Sequence, residues 1–292
     1  MPQRDVYVTA ADGTRLYADD RGSLASPNAP VLCLPGLTRN SRDFEPVFDL
    51  LEGKRRVVAM DLRGRGRSDR ANDPASYTPA TELQDVLMVL DHLQLERVAL
   101  IGTSRGGIIG MLMATLAKPR LAGLLLNDVG GQIESVSLQR ITERTGLPVR
   151  FATWDEAAEG FASHAVGFAP LPHEAWLKVV KRIYRESGGV IVENHDIALA
   201  RTLSPPDEIA AGRPAELWPL VPGLAGLPLA LLRGEGSDLL SASTVQRMQQ
   251  MLPQIHVTTI PGRGHVPFLD ETESVAAVED WLSRVDEAEK SQ

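Results

Sequence analysis

The sequence predicts an α/β architecture: a largely parallel sheet covered by helices and interrupted by one long helical insertion. Three observations predict it. Short β-type runs alternate with stretches of helical periodicity, the pattern that strand–helix crossovers leave in a sequence. Two of those runs flank the turn dipeptide Asp12-Gly13 at the start of the chain and form an antiparallel opening hairpin. About a hundred residues between Leu126 and Leu229 then break the alternation with a helical pattern that contains no parallel strand.

The bulk composition suits such a fold and narrows the function. With 43% hydrophobic and 23% charged residues the chain can bury a core, unlike disordered or fibrous compositions. A net charge of −8 leaves no basic footprint, and the run Arg63, Arg65, Arg67, Arg70 is short and broken by glycines, so nucleic acid is not an expected partner. The single cysteine, Cys33, excludes an intramolecular disulfide and sits in an apolar run as a buried strand residue. The first residues, Met1 to Asp5, lack an apolar leader. No apolar run approaches the roughly 18 residues of a membrane helix. A cytoplasmic protein acting on a small molecule, without membrane association, is the expectation.

Taken in order, Val6 to Val8 and Leu16 to Ala18 are the hairpin strands. Val31 to Leu34 ends at Pro35-Gly36, and Val57 to Met60 runs into Asp61 and the loop Arg63-Gly64-Arg65-Gly66. Both are continuous apolar runs, as buried parallel strands require. From Pro79, Leu83, Val86, Leu87, Leu90 and Leu93 recur at helical spacing, with Thr78 as N-cap and Pro79 at the first helical position. Val98 to Ile101 is the next strand, followed after Ser104 by a helix carrying Ile108, Ile109, Leu112, Met113 and Leu116. Leu124 to Leu126, Leu229 to Leu232 and His256 to Ile260 supply three more strands, and a last helix lies near Glu273 to Val285. The insertion, with Trp154, Trp176 and Tyr184, is a helical cap over residues 131–212, leaving 1–130 and 213–292 as the core. The long insertion between Leu126 and Leu229 is also read as carrying Trp218, and Pro205-Pro206, Pro214, Pro219 and Pro222 mark the return to the sheet.

The chemistry is concentrated at Gly102-Thr103-Ser104-Arg105-Gly106-Gly107, a G-x-S-x-G pentapeptide set between a strand and a helix. Glycines two before and two after the serine allow a tight turn that holds Ser104 in a strained conformation with its hydroxyl clear of the sheet. A phosphate-cradling turn would need G-x-G-x-x-G, which is absent. A serine hydroxyl is a weak nucleophile that needs a base, a group to orient the base, and donors for the oxyanion. In sites of this strand–turn–helix type the order is nucleophile, acid, histidine. His265, in the loop after the last strand, is therefore the base among the six histidines. His256 lies within that strand, His92 ends a surface helix, and His164, His173 and His195 belong to the insertion. The acid is Asp238, in the loop after Leu229 to Leu232, where a flexible loop gives it room to turn inward. Asp128, after Leu124 to Leu126, is the alternative acid. The oxyanion donors are the backbone N–H groups of Arg105, after the nucleophile, and Leu37, in the loop after an early strand. Trp154, Trp176, His195, Val266 and Phe268 are candidate pocket residues. No histidine, cysteine and carboxylate grouping at ligand spacing suggests a metal, and no cofactor is implied.

On Leu34-Pro35-Gly36, Asp61 to Asp69, Gly102 to Gly107, Ser237-Asp238 and Gly264-His265-x-Pro267, the chain resembles the α/β-hydrolase superfamily. The resemblance implies a mostly parallel eight-stranded sheet flanked by helices with an inserted cap over the active site. It also implies that the Asp61 to Asp69 loop is structural. Pro35 stands where many members carry histidine, and Arg105 where an apolar residue is common. A serine nucleophile argues against the epoxide hydrolases and haloalkane dehalogenases of this fold. Ester or lactone hydrolysis is the default that the resemblance implies. An amidase, a carbon–carbon bond hydrolase of the meta-cleavage type, and a non-catalytic ligand receptor on the same scaffold are the alternatives.

Overall fold

The computed structural model describes residues 3–203 and 215–291. The chain opens with β1 (Gln3–Thr9), β2 (Arg15–Arg21), β3 (Val31–Leu34) and the short helix α1 (Glu45–Leu50). It continues through β4 (Val57–Asp61), α2 (Pro79–His92), β5 (Val98–Thr103), α3 (Arg105–Leu116) and β6 (Leu121–Asn127). Thr78 caps α2 by accepting from the Thr81 N–H, and Pro79 takes the first helical position.

The insertion then contributes β7 (Gln132–Ile133), α4 (Ser135–Thr145), β8 (Arg150–Phe151), α5 (Trp154–Ala162), α6 (His173–Ile183), β9 (Tyr184–Ser187) and β10 (Val190–Glu193), and β11 (Ala215–Glu216) follows where the chain comes back. The chain returns through β12 (Leu229–Gly234), the helix Ala242–Met251, β13 (Ile255–Ile260) and the helix Thr272–Lys290. Eight of these strands form one sheet in the order β1-β2-β4-β3-β5-β6-β12-β13. β2 is antiparallel to both its neighbours, and every pair from β4 onward across the sheet is parallel. This is the α/β-hydrolase fold.

The strand period of two divides the core between the faces. Leu32, Leu34, Val58 and Met60 point to one side, where α2, α3 and the helix Ala242–Met251 cover them. Val31, Cys33, Val57 and Ala59 point to the other, beneath α1 and the helix Thr272–Lys290. Full burial pushes the Cys33 thiol well above its ordinary range, consistent with a packing residue rather than a nucleophile.

The insertion is less purely helical than its pattern predicts. Beside α4, α5 and α6 it contains an antiparallel sheet in the order β8-β10-β9. Its hairpin turns at Gly188-Gly189, both at positive φ, next to the β-branched run Val190-Ile191-Val192. A glycine pair between such runs is the signal of a two-residue hairpin, overridden in the sequence by the stronger helical periodicity around it. The insertion has its own apolar cluster, built on Ala157, Trp176, Val180, Ile183 and Ile191. β7 and β11 pair antiparallel, so the chain leaves the sheet and returns to it side by side. Trp218 packs against the main sheet's core instead. Pro205, Pro206, Pro214 and the predicted boundary at Gly212 lie outside the described residues. No helix among the described residues is long and apolar enough to cross a membrane.

Candidate active site

Ser104 sits between the end of β5 and the start of α3 with φ 48° and ψ −108°, outside the regions open to most L-residues. Its neighbours make the turn possible by lacking side chains. A Cβ on Gly102 would stand 2.6 Å from the Gly106 backbone, and one on Gly106 would collide with the Leu34 carbonyl. The Ser104 N–H donates to Asn127 O at 3.0 Å and the Gly106 N–H to Pro35 O at 3.1 Å, so the turn is stitched to β6 and to the loop after β3.

His265 lies beyond β13, as the order of motifs predicts. Its Nε2 is 3.1 Å from Ser104 Oγ. The segment carrying it is held at two points: Asn127 Nδ2 donates to Pro267 O at 3.1 Å, and the Phe268 N–H to Glu271 Oε1 at 2.8 Å. None of the other histidines is recorded in contact with Ser104, although His164 and His195 line the cavity above it. His256 is exposed on the edge strand beside Asp280, and His173 is exposed beside Asp155.

The acid is where the sequence prediction must be corrected. Asp238 does not meet His265; its carboxylate is 2.6 Å from Arg140 Nη1, with 27% of the side chain exposed. Burial pushes the Asp238 carboxyl up, but Arg140 and the Ser137 hydroxyl outweigh it and hold it below the ordinary range. The position facing His265 belongs to Asp128, whose Oδ2 is 2.7 Å from His265 Nδ1. Asp128 follows β6 at φ 57° and is fully buried. It accepts from the Gly234 N–H at 2.9 Å and from Ser237 Oγ at 2.6 Å, so a buried carboxylate is satisfied from three directions. The loop after β12, expected to supply the acid, supplies donors to it instead. Ser237 belongs to the Ser237-Asp238 motif of the resemblance, but its role as a donor to Asp128 is a contact across the fold that the sequence does not mark.

Both predicted oxyanion residues lie near Ser104: Arg105 follows it in the chain, and Leu37 lines the same cavity. Arg105 is the first residue of α3, where an N–H has no carbonyl one turn back to receive it. Leu37 follows Gly36, where a Cβ would be 3.9 Å from Ser104 Cβ. The Arg105 side chain turns away from the site into the interior. Its Nε donates to Glu82 Oε2 at 2.6 Å and its Nη2 to Tyr77 O at 2.8 Å. Glu82 also receives Arg65 Nη1 at 2.6 Å, and both Arg65 and Glu82 side chains are 0% exposed. Burial drives the Glu82 carboxyl up, but the two guanidinium groups overcome it and leave it below its usual range. The signal for Glu82 was present in the sequence: 82, 86 and 89 share the buried face of α2.

A cavity of about 240 Å³ opens over Ser104 and His265, walled by both the sheet's loops and the insertion. Leu37, Ile141, Phe161, Phe168 and Phe268 make it mainly apolar, while Arg144 and His195 add polar groups. His195 Nε2 is buried without a hydrogen-bond partner, and burial lowers the ring's basicity. Of the predicted pocket residues, His195, Val266 and Phe268 line this cavity. Trp154 and Trp176 do not. Trp154 faces a separate surface cavity, and Trp176 stands behind the lining, edge-on to Phe168 and Phe268. An apolar face at helical spacing served the insertion's own core, the commoner use of such residues.

A serine raised on a strand–helix turn, a histidine at its hydroxyl and a buried carboxylate behind the histidine, all at the carboxyl ends of a parallel sheet, define a hydrolase-type centre. The chain belongs to the alpha/beta hydrolase family, whose model matches residues 31–278. It is 34% identical over 277 residues to a 3-hydroxybutyrate-oligomer hydrolase of Cupriavidus necator, covering 92% of this chain and 94% of that one. It is 28% identical over 281 residues to a proline iminopeptidase of Levilactobacillus brevis, covering 91% and 92%. A crystal structure of an alpha/beta hydrolase from Novosphingobium aromaticivorans is 39% identical and matches with a TM-score of 0.88 over 97% of this chain and 98% of that one.

Proposed function

We propose that this protein is a serine hydrolase that cleaves carboxylic esters through an acyl-enzyme on Ser104, and that its substrates are short esters of small hydroxy acids. The observation that carries the reading is the continuous relay from Ser104 Oγ through His265 to Asp128, at 3.1 and 2.7 Å. In it, neutral His265 takes the Ser104 proton as the oxygen attacks the ester carbonyl, and Asp128 holds the Nδ1–H and stabilises the imidazolium. The Leu37 and Arg105 N–H groups meet the oxyanion, each contributing about 3 kcal/mol in the transition state. The imidazolium returns its proton to the leaving alcohol, and water, deprotonated by His265, releases the acid.

The similarity to an oligomer hydrolase over nearly the whole of both chains favours an oligoester substrate. The mainly apolar cavity suits a short alkyl hydroxy acid, and Arg144 at its wall suits a free terminal carboxylate. The similarity to a proline iminopeptidase supports amide hydrolysis as the second reading.

The purified protein and its Ser104→Ala variant, incubated with p-nitrophenyl butyrate, linear 3-hydroxybutyrate trimer and proline p-nitroanilide, together with a fluorophosphonate probe, test the assignment. Turnover of the trimer and labelling of wild type alone are expected. Cleavage of the anilide in preference to both esters would move the assignment to amides. An unlabelled wild type without turnover would turn it toward a ligand receptor.

A further inference from the structure

The two residues whose N–H groups face the oxyanion in the proposed mechanism are joined beneath the site by one buried carboxylate. Arg65 Nε donates to the Leu37 carbonyl at 2.7 Å, and the same guanidinium reaches Glu82 Oε1 at 2.6 Å and the Arg63 carbonyl at 2.5 Å. On the other side, Glu82 Oε2 receives Arg105 Nε at 2.6 Å. A continuous path therefore runs from the backbone of Leu37 through Arg65 and Glu82 to the side chain of Arg105. Glu82 is set on α2, packed into the main core, so both ends of the path are referred to one rigid element.

We propose that Arg65 and Glu82 are positioning residues that set the spacing between the Leu37 and Arg105 backbone donors, so that the oxyanion hole is pre-formed before substrate binds. This rests on the serine hydrolase reading above. A loop residue such as Leu37 has few local constraints of its own, and a donor displaced by a fraction of an ångström loses most of its value to an oxyanion. Fixing its carbonyl fixes the Leu37–Thr38 peptide plane, and so anchors the loop at the Leu37 Cα, one residue's φ and ψ away from the Leu37 N–H. The cost is high: two guanidinium groups and a carboxylate are buried, and Arg65 Nη2 has no hydrogen-bond partner. A purely packing role would be served as well by apolar residues. The surplus positive charge beside the Leu37 loop also has the sign that a developing oxyanion needs. The same path accounts for arginine after the nucleophile: its backbone donates while its side chain anchors.

Arg65→Met tests this, because it frees the Leu37 carbonyl and leaves Glu82 neutralised by Arg105. The variant is compared with wild type by circular dichroism, by kcat and KM on p-nitrophenyl butyrate, and by the Ki of a short-chain trifluoromethyl ketone, whose tetrahedral adduct occupies the hole. A folded variant is expected to lose about 10- to 100-fold in kcat with KM nearly unchanged, and to bind the ketone more weakly by the same factor. A folded variant that keeps both kcat and Ki, or loses kcat without weakening the ketone, overturns the proposal. Should Arg65→Met not fold, Arg65→Lys keeps the charge facing Glu82 but loses the planar fork that spans Leu37 and Glu82. It must move kcat and Ki together, to a smaller extent, or the proposal fails. Fluorophosphonate labelling of wild type separates the two levels. A labelled wild type with an unaffected variant refutes the positioning role alone, whereas an unlabelled wild type refutes the hydrolase reading and this inference with it.

Discussion

Replacing Asp128 by asparagine, and in parallel Asp238 by asparagine, distinguishes two carboxylates that the sequence leaves in competition. Asp128 is fully buried and accepts three hydrogen bonds, from Gly234 N–H, Ser237 Oγ and His265 Nδ1. An amide offers one accepting oxygen and places N–H donors against groups that are themselves donors. The His265 ring then loses the partner that holds its proton on Nδ1, and the tautomer able to accept from Ser104 is no longer favoured. The expected loss in kcat is about 10³- to 10⁴-fold, equivalent to roughly 4 to 5.5 kcal/mol of transition-state stabilisation. The unpaired buried groups add a stability cost of about 1 to 3 kcal/mol. Asp238 instead forms a half-exposed pair with Arg140, so its asparagine variant should cost less than about 1 kcal/mol and leave kcat nearly unchanged. Initial rates on p-nitrophenyl butyrate, with thermal melts to confirm folding, give both quantities. Near-wild-type kcat in Asp128→Asn beside a collapsed kcat in Asp238→Asn would refute the assignment.

Other perturbations follow from the same geometry. Gly106→Ala should destabilise the fold by more than about 2 kcal/mol, because the new methyl meets the fixed Leu34 carbonyl, and a melting temperature within a degree or two of wild type would contradict this close packing. Phe268→Ala, which removes a ring lining the cavity and stacked on Phe168, should shift preference toward longer acyl chains in a p-nitrophenyl ester series. An unchanged chain-length profile would show that this wall does not contact the acyl group. Glu82 has a folded-state pKa below its unfolded value, so its contribution to stability is complete above the unfolded pKa of about 4.3 and is lost as pH falls through the folded value. Acid titration of the melting temperature should therefore fall more steeply in wild type than in Glu82→Gln, and parallel curves would count against an ionised Glu82. Arg144→Met should raise KM for a hydroxy-acid trimer with a free carboxylate while sparing its methyl ester; equal effects on both would remove Arg144 from carboxylate recognition.

Features that a few consecutive residues encode were legible without the structure. The eight sheet strands follow from apolar runs and flanking turn residues, and the Ser104 turn from its glycines and its place between strand and helix. His265 follows from its loop after the final strand. The double-glycine hairpin at Gly188-Gly189 was also encoded locally, but was lost among stronger helical signals. Trp176 looked like a pocket residue because its sequence neighbourhood is apolar, and only packing shows which side of that apolar layer it occupies.

The choice of acid was of another kind. β6 and β12 are adjacent and parallel, with Leu232 level with Asn127, so the loops that follow both strands reach the same place beside His265. Either could present a carboxylate there. The sequence by itself determined that an acid would come from one of these strand ends, because the motif order and strand pattern are local properties. Tertiary structure decided that the carboxylate meeting His265 is that of Asp128, since only in three dimensions do Gly234 and Ser237 converge to satisfy it while Arg140 pairs with Asp238. The same holds for Arg65, Glu82 and Arg105: their ionic contacts join three separate elements, and no spacing along the chain encodes a contact made across them.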